Sequence, residues 1–360
     1  MLPTRISHLI DLIKKARLDA VVFNPGATLT YLSGIHLGLM ERPMILVFTS
    51  TGKAGLILPE LEMLKTHGLS FEMEVFPYGD NPATWSNAFH QAAVALGLNG
   101  KRIGIEPEHL RVLELRYLEA AAPQAKFISA SDTLAALRLQ KEPSEIGLIR
   151  KAIDIAQVAL QATLPAIRVG ATEREIATEL TMQLLRHGMG SSFSPIVSSG
   201  PNSANPHAVP TDRKLVEGDL LVIDWGASAE GYISDLTRTF AIGKVDPEFE
   251  RIAEIVKRAN TAGRAAGRVD QAARSVIEEA GYAVYFTHRT GHGIGIEGHE
   301  EPYMFNENTL LLAPGMTYTV EPGIYLPNRG GVRIEDDVVI TPDGCETLSY
   351  LPRELQVIQA

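Results

Sequence analysis

The sequence predicts a protein of mixed α/β and α+β class, with a small N-terminal α/β domain over 1–130 and a larger domain over 131–360. The length of 360 residues suits about two domains of ordinary size. Helical and extended patterns alternate up to about residue 130, whereas long capped helices and paired strands follow. Nearly all of the clustered acids and histidines fall in the second part, which places the chemistry there.

The N-terminal domain combines short strands with amphipathic helices. Its first segment has helical apolar spacing and lacks the apolar core of a signal peptide. A short apolar run follows over 20–23, and the runs 44–48 and 55–58 flank a turn, which is typical of a hairpin. The remaining predicted elements are a helix over 83–96, a strand over 102–106 and a helix over 108–121. Together they indicate a small mixed sheet.

Helix-capping signals divide the second domain. Ser144 stands at a predicted N-cap, and Thr172 with Glu175 forms a capping box for a helix that ends at Gly188. Two further helices are predicted, from 247 to about 267 and from 270 to 281. The predicted strand pairs are 220–224 with 233–240 and 316–321 with 331–340.

Charge and composition exclude several classes of function. The chain carries 33 Lys and Arg against 43 Asp and Glu, a formal charge of −10, which argues against a nucleic-acid binder. No apolar run approaches the ~18 residues of a membrane span. The single cysteine, Cys345, excludes an intramolecular disulfide and fits a reducing compartment. We therefore expect a cytoplasmic protein that binds neither nucleic acid nor membrane.

Two aspartates stand at the rim of one predicted strand pair. Asp224 ends an apolar strand and Asp235 begins the returning one. In an antiparallel pair both can face the same side, where two carboxylates repel unless a cation or a proton lies between them. Taken alone, the pair is more typical of two solvated acids at a hairpin rim than of a metal site.

His292 lies in a glycine-rich segment that matches two unrelated motifs incompletely. Residues 293–298 fit a dinucleotide-binding glycine pattern, but the following helix would begin with acids and contain Pro302, which disfavours a pyrophosphate. The zinc-peptidase pattern that begins at His299 fails because Tyr303 occupies the position of the second histidine. With both motifs excluded, His292 is an imidazole between two glycines, and glycines allow another group to approach the backbone closely.

Further acids follow at strand ends. Glu321 ends one apolar strand, and Arg333 and Glu335 share one face of another. With the two aspartates and His292 they make four acids and one histidine within one domain. Such oxygen-rich sites suit Mn²⁺, Co²⁺ or Zn²⁺ pairs, whereas a structural zinc site would use cysteines.

In this order and these contexts, the five residues resemble the metal ligands of the pita-bread metallopeptidases, the family of methionine aminopeptidase, aminopeptidase P and prolidase (Xaa-Pro dipeptidase). The matching motifs are 206–210, 223–226, 234–239, 321–325 and 333–336. The N-terminal domain resembles the smaller domain of the prolidase, aminopeptidase P and creatinase branch. Methionine aminopeptidases usually lack that domain, and creatinase lacks the ligands. The resemblance therefore implies a two-metal peptidase that cleaves an Xaa-Pro bond.

The resemblance also implies a role for each site residue. Two divalent ions per subunit, Mn²⁺ first with Co²⁺ or Zn²⁺ as alternatives, would be held by Asp224, Asp235, His292, Glu321 and Glu335, and a bridging hydroxide would attack the peptide. Glu321 would also carry a proton to the departing proline nitrogen. The other catalytic or substrate-binding candidates are His207, His299, Arg333, His288 and Tyr325. For His288 and Tyr325 a purely structural role is equally open.

The segment 34–43 bears on the length of peptide that is cleaved. In a homodimer, the quaternary state common in this branch, it would reach over the partner's active site, where Arg42 would contact the free carboxylate of a dipeptide. An ordinary surface loop is the alternative. This segment and the short chain favour a dipeptidase whose partners are small proline-containing peptides. The alternatives are an aminopeptidase P, acting on longer peptides, and a non-catalytic peptide-binding paralogue.

Overall fold

A computed structural model describes residues 2–69, 71–265 and 267–359, and in it the chain divides into two compact units, Met1–Arg138 and Leu139–Ala360. The sequence had placed this boundary after residue 130. The helix Ser131–Arg138 accounts for the difference, because its Leu134 and Leu137 are buried and the hydroxyl of Tyr31 donates to the Leu137 carbonyl at 3.5 Å. The predicted boundary therefore moves to the end of that helix.

The first unit is built on one mixed sheet. Its described helices and strands are α1 Leu2–Lys15, β1 Ala20–Phe23, α2 Ala27–Ser33, β2 Ile45–Thr49, β3 Ala54–Pro59, β4 Glu74–Tyr78, α3 Trp85–Leu96, β5 Arg102–Ile105, α4 Val112–Ala121, β6 Lys126–Ser129 and α5 Ser131–Arg138. The strand order is β4-β3-β2-β1-β5-β6. β2 and β3 pair antiparallel, which confirms the predicted hairpin, while β1 runs parallel to β5.

The second unit carries several smaller sheets between helix pairs. Its described helices and strands are α6 Pro143–Thr163, α7 Glu173–His187, β7 Ile196–Ser199, β8 Leu220–Trp225, β9 Ser228–Ala229, β10 Tyr232–Ile233, β11 Leu236–Ile242, α8 Pro247–Ala265, α9 Val269–Glu279, β12 Gly291–Gly293, β13 Glu300–Met304, β14 Thr317–Val320, β15 Gly323–Leu326, β16 Gly330–Arg333, β17 Asp336–Thr341, β18 Gly344–Thr347 and β19 Gln356–Ile358. The sheet β19-β11-β8-β7 packs against α6 and α7 on one face and against α8 and α9 on the other.

Helix starts follow the local capping chemistry. Thr172 accepts from the amide of Glu175 at 3.1 Å and Glu175 accepts from the amide of Thr172 at 2.8 Å, which confirms the capping box of α7. The prediction of Ser144 as the N-cap of α6 is wrong. The extended residue Glu142 is the N-cap and Pro143 the first helical residue, where the fixed φ of proline suits a helix start.

One predicted strand is interrupted. Residues 331–340 were expected to form a single strand paired with 316–321. The structure instead breaks the segment at residues 334–335, so that β16 pairs with β15 while β17 pairs with β14. The amide of Glu335 bonds to the carbonyl of Thr237 on β11, and that contact draws the chain out of either ladder.

No helix formed by the described residues is both long and apolar enough to cross a bilayer.

Candidate metal centre

Strand alternation turns the first two aspartates to the same face. Leu221, Ile223 and Trp225 of β8 point into the core shared with α6 and α7, so Asp224 points away from that core. Thr237 of β11 stands directly opposite Asp224 in the antiparallel register. Asp235 lies two residues before Thr237 and therefore shares its face, as the sequence predicted.

Neighbouring strands of a second sheet bring the other three ligand candidates together. His292 is the middle residue of β12, and its amide donates to the Thr319 hydroxyl of β14 at 3.1 Å. Val320 of β14 stands opposite Asp336 of β17. Glu321 and Glu335 are the next residues outward on these two strands, so the register places them side by side.

The five side chains converge in space. The Nε2 atom of His292 lies 3.4 Å from Oε1 of Glu321 and 3.8 Å from Oδ2 of Asp235. Donor atoms of Asp224, Asp235 and Glu335 lie within 4.8 Å of one another, as do those of His292, Glu321 and Glu335. His299 also approaches, with its ring centroid 3.9 Å from that of His292. The sequence-predicted ligand set therefore forms one cluster.

Burial makes this cluster costly without a cation. It raises the pKa of Asp224, and burial together with the neighbouring carboxylates raises the pKa of Asp235 and of Glu335 well above the usual range. The pKa of Glu321 rises to about 7, chiefly through burial. Burial lowers the pKa of His292 to about 3, so its imidazole is neutral at neutral pH, the state that binds metal.

The donor set is compatible with binding of a divalent metal. Oδ1 of Asp224 is buried, and among the described atoms no hydrogen-bond donor reaches it. A buried carboxylate oxygen without a donor is costly, and a cation satisfies it. Carboxylates with a single imidazole are the ligands expected for Mn²⁺, Co²⁺ or Zn²⁺.

Arg333 ties the cluster to the surrounding segments. Its Nη2 atom donates to Asp224 at 2.6 Å and its Nε atom to the hydroxyl of Thr237 at 3.0 Å. Nη1 donates to the Pro206 carbonyl and to the Tyr325 hydroxyl, both at 3.1 Å. The guanidinium therefore orients a ligand candidate and its neighbours at once.

His288 and Tyr325 form a bonded pair behind Arg333. Nδ1 of His288 lies 2.7 Å from the Arg289 carbonyl, so Nδ1 carries the proton and Nε2 accepts from the Tyr325 hydroxyl at 2.8 Å. Burial lowers the pKa of His288 to about 4. His288 lines the cavity described next, whereas Tyr325 reaches it through Arg333 and His288.

A cavity of about 710 Å³ opens over the ligand cluster. His207 and His299 lie on its wall, as does Arg289. Its apolar lining comes from Phe193, Ile196 and Ile233. The cavity thus joins the metal-ligand candidates to a surface with both hydrogen-bonding and apolar character.

Several contributors were missed by sequence reasoning. Thr237 donates to Oε2 of Glu335 at 2.6 Å, and the amide of Asp235 donates to Oδ2 of Asp337 at 3.1 Å. Thr237 stands inside a quoted motif and Asp337 next to one, so both were available as candidates, but the sequence does not show which residues they contact. Phe193 and Arg289 gave no such signal.

Arg42 lies in the first unit and pairs there with acids. Its Nη2 and Nε atoms contact Oδ1 of Asp80 at 2.6 and 2.9 Å, and Nη1 bonds to Glu41. The five ligand candidates, the three histidines of the cavity wall and Arg333 all belong to the second unit.

Comparison with known proteins agrees with this geometry. Residues 147–342 match the model of metallopeptidase family M24, and residues 5–140 match the creatinase/prolidase N-terminal domain. The chain belongs to metallopeptidase family M24. The predicted creatinase-type domain followed by a pita-bread catalytic domain, and the predicted metallopeptidase activity, are confirmed.

M24 relatives match over nearly the whole chain. A putative dipeptidase of Bacillus subtilis, YkvY, is 34% identical, and the match covers 98% of this chain and 99% of the relative. A prolidase from Thermococcus sibiricus superposes with a TM-score of 0.94 at 33% identity, with 99% of each chain covered. An X-Pro aminopeptidase from Thermotoga maritima gives a TM-score of 0.84 at 32% identity and covers 98% of this chain and 99% of its own.

Proposed function

We propose that this M24 metallopeptidase hydrolyses the Xaa-Pro bond of dipeptides. The observation that carries the proposal is the convergence of four carboxylates and one neutral imidazole beneath a cavity that also presents His207 and His299. The likeness to the Bacillus subtilis dipeptidase and to the Thermococcus sibiricus prolidase supports the substrate class.

Two divalent cations, in the first place Mn²⁺, would be held by the five ligand candidates, Asp224, Asp235, His292, Glu321 and Glu335. When bound, they would supply Lewis acidity and allow a nucleophile to form from water at neutral pH. Co²⁺ and Zn²⁺ suit the same donors. Arg333 orients Asp224 through its 2.6 Å bond and opposes the rise that burial causes in the pKa of that carboxyl.

Each remaining role belongs to a side chain on the cavity wall or in the cluster. Glu321, whose pKa burial raises to about 7, accepts the proton of the nucleophile and passes it to the departing proline nitrogen. His299, adjacent to His292, donates a hydrogen bond to the peptide carbonyl. His207 orients the bound peptide from its own position on the cavity wall.

The preference for dipeptides is assigned to the segment 34–43 of a partner subunit. In this proposal the enzyme is a cytoplasmic homodimer, and Arg42 leaves Asp80 to bind the free carboxylate of the substrate's proline. Arginine suits this role because its fork of donors matches a carboxylate.

The decisive experiment compares Ala-Pro with an Ala-Pro-Yaa tripeptide at equal concentration, with Mn²⁺ present and the metal content of the same sample measured. We expect faster cleavage of the dipeptide and about two metal ions per chain. Faster cleavage of the tripeptide would identify an aminopeptidase P. Absence of both metal and hydrolysis would favour a peptide-binding paralogue.

Replacement of Arg42 tests the source of selectivity. The Arg42→Ala variant should raise the tripeptide-to-dipeptide ratio of kcat/KM by about tenfold, because one charged contact to the free carboxylate is lost. Arg17→Ala, a change of the same kind elsewhere in the first unit, serves as the control. An unchanged ratio in the Arg42 variant would exclude the residue from this role.

A further inference from the structure

Glu173 is a buried carboxylate far along the chain from the ligand motifs. It is the first residue of α7 and has no exposed surface. A negative charge is favourable at this end of a helix, where backbone amides and the helix dipole are positive. The capping of α7 is nevertheless carried out by its neighbours Thr172 and Glu175, so the Glu173 side chain is free for other partners.

The Glu173 carboxylate accepts hydrogen bonds from both ends of one loop. Oε1 accepts from the amide and the hydroxyl of Ser199 at 2.7 and 2.8 Å. Oε2 accepts from the amide and the hydroxyl of Thr211 at 3.0 and 2.6 Å. The side-chain amide of Asn202 lies 3.1 Å from each oxygen. All of these donors belong to the segment 199–211, here called the His207 loop.

The His207 loop connects this anchor to the metal-ligand cluster. Ser203 accepts from the amide of Gly331 at 2.9 Å. The carbonyl of Pro206 accepts from Arg333, whose other nitrogen holds Asp224. His207 follows immediately and lies exposed on the cavity wall, and its only hydrogen bond given by the structure joins its backbone amide to Asn205. The position of its ring therefore depends on how the loop is held.

We propose that Glu173 is a positioning residue, which fixes both ends of the His207 loop and thereby places His207 against the bound peptide. The inference rests on the role given to His207 in the proposed function. A carboxylate suits this place because each of its oxygens accepts from one backbone amide, that of Ser199 or that of Thr211, which have no other role than donor. A glutamine has the same shape but turns an NH₂ group toward donors that need an acceptor.

The matched variants are Glu173→Gln and Glu175→Gln. Glu175 lies on the same helix turn, but its side chain bonds to Thr172 and not to the His207 loop. Hydrogen exchange of the metal-free proteins is the first measurement. In Glu173→Gln the amides of Ser199 and Thr211 should exchange about tenfold faster, since buried donors lose their acceptor, whereas Glu175→Gln should leave both unchanged.

Steady-state kinetics with Ala-Pro provide the second measurement. Glu173→Gln should raise KM about tenfold with a smaller change in kcat, and in a His207→Ala background the same change should alter kcat/KM by less than about twofold. A general structural role would lower kcat/KM by the same factor in both backgrounds. That outcome, or unchanged exchange in Glu173→Gln, would overturn the inference.

A milder variant covers the case in which Glu173→Gln does not fold. Thr211→Val removes one hydroxyl donor and keeps the backbone amide, so it should shift exchange and KM in the same direction by a smaller factor. No shift in either quantity would also contradict the inference. Should the wild type fail to cleave Ala-Pro, the proposed function fails, while the exchange data still decide whether Glu173 anchors the loop.

Discussion

Burial sets the charge state of the imidazoles around the ligand cluster. The pKa of His288 falls to about 4 and that of His292 to about 3, in both cases chiefly because burial disfavours the charged form. Their neutral rings accept hydrogen bonds or bind metal, and neither changes charge near neutral pH. Protonation of either ring is therefore linked to a loss of stability of the folded protein.

The depressed pKa of His288 predicts acid sensitivity with a definite sign. The pKa of about 4 in the folded protein lies below the value of about 6.5 in the unfolded chain. The contribution of His288 to stability is therefore complete above pH 6.5 and declines as the pH falls toward 4. Between pH 8 and pH 5 the loss from this residue is about 2 kcal/mol. Urea unfolding of chelated wild type and chelated His288→Gln should show that the variant loses less stability over this range by about that amount. Equal losses in the two proteins would mean that His288 is not buried in its neutral form.

Ligand identity was predictable at the residue scale, but ligand support was not. Asp224 and Asp235 follow from strand alternation and a short connection, which sequence patterns report directly. The bond from Thr237 to Glu335 joins residues 98 apart in the chain, and the bond from Asp235 to Asp337 joins residues 102 apart. Such contacts depend on a register between distant strands, which no local pattern specifies.

At the scale of elements, neighbouring strands pack closely against the backbone of β12. A Cβ atom on Gly293 would lie 2.2 Å from the carbonyl oxygen of Glu301, and one on Gly291 would lie 1.9 Å from that of Thr319. The two glycines therefore allow neighbouring strands to approach on both sides of His292. The sequence indicated close backbone approach here, and the structure identifies the strands that make it.

This packing predicts opposite outcomes for two glycine substitutions. Gly293→Ala forces a backbone carbonyl to move and should lower metal affinity by about 10- to 100-fold, since the support of His292 is displaced. In Gly298→Ala the new Cβ meets only the tip of Ile233 at 3.3 Å, so metal affinity should stay within about twofold. Isothermal titration with Mn²⁺ measures both. Equal affinities in the two variants would contradict the close-packing argument.

Element boundaries were predictable where side-chain chemistry marks them. The capping box of α7 is an example, since Thr172 and Glu175 bond as their spacing predicts. The break between β16 and β17 carries no such mark, because the apolar alternation continues through Ile334. The strand ends because Glu335 pairs with Thr237, a tertiary contact between residues distant in the chain.

At the scale of the whole molecule, excess negative charge is partly concentrated in the cluster. Four of the 43 acids are ligand candidates, and two divalent cations would carry four positive charges and bring the formal charge from −10 to −6. Without cations, burial and then repulsion by the neighbouring carboxylates raise the pKa of Asp235 and of Glu335. Metal should therefore contribute to the stability of the fold.

Chelation of the metal tests this expectation. For each ion whose free concentration is about 100 times its dissociation constant, removal should cost about 3 kcal/mol and lower Tm by several degrees, about 5–10 °C. In the metal-free form burial raises the pKa of Glu321 to about 7, so the contribution of this residue to stability is present at acid pH and is lost as the pH rises through 7. The Tm difference between loaded and chelated protein should therefore widen from pH 6 to pH 8.

Calorimetry of loaded, chelated and Mn²⁺-reconstituted samples provides the measurement. Reconstitution should restore the original Tm and so exclude damage by the chelator. An unchanged Tm on chelation would show that the carboxylate cluster does not depend on a counter-charge.

The domain organisation was predictable because its signals are dispersed over many residues. Alternating patterns in the first unit and capped helices in the second indicated two domains of different construction. The two compact units meet after residue 138 and not after 130, because α5 packs on the first unit through Leu134, Leu137 and the bond from Tyr31 to the Leu137 carbonyl. Packing, rather than sequence pattern, decides which domain a connecting helix joins.

Arg333 links the binding of cations to the placement of the peptide. One guanidinium bonds to Asp224, to Thr237, to Tyr325 and to the loop that carries His207. A substitution there would change cation loading and peptide placement together, so the two properties are not free to evolve separately through this residue. Phe193 and Ile196 form an apolar part of the cavity wall, and their side chains make no hydrogen bond to the metal-ligand candidates. New peptide preferences would therefore accumulate at that wall and leave the metal chemistry intact.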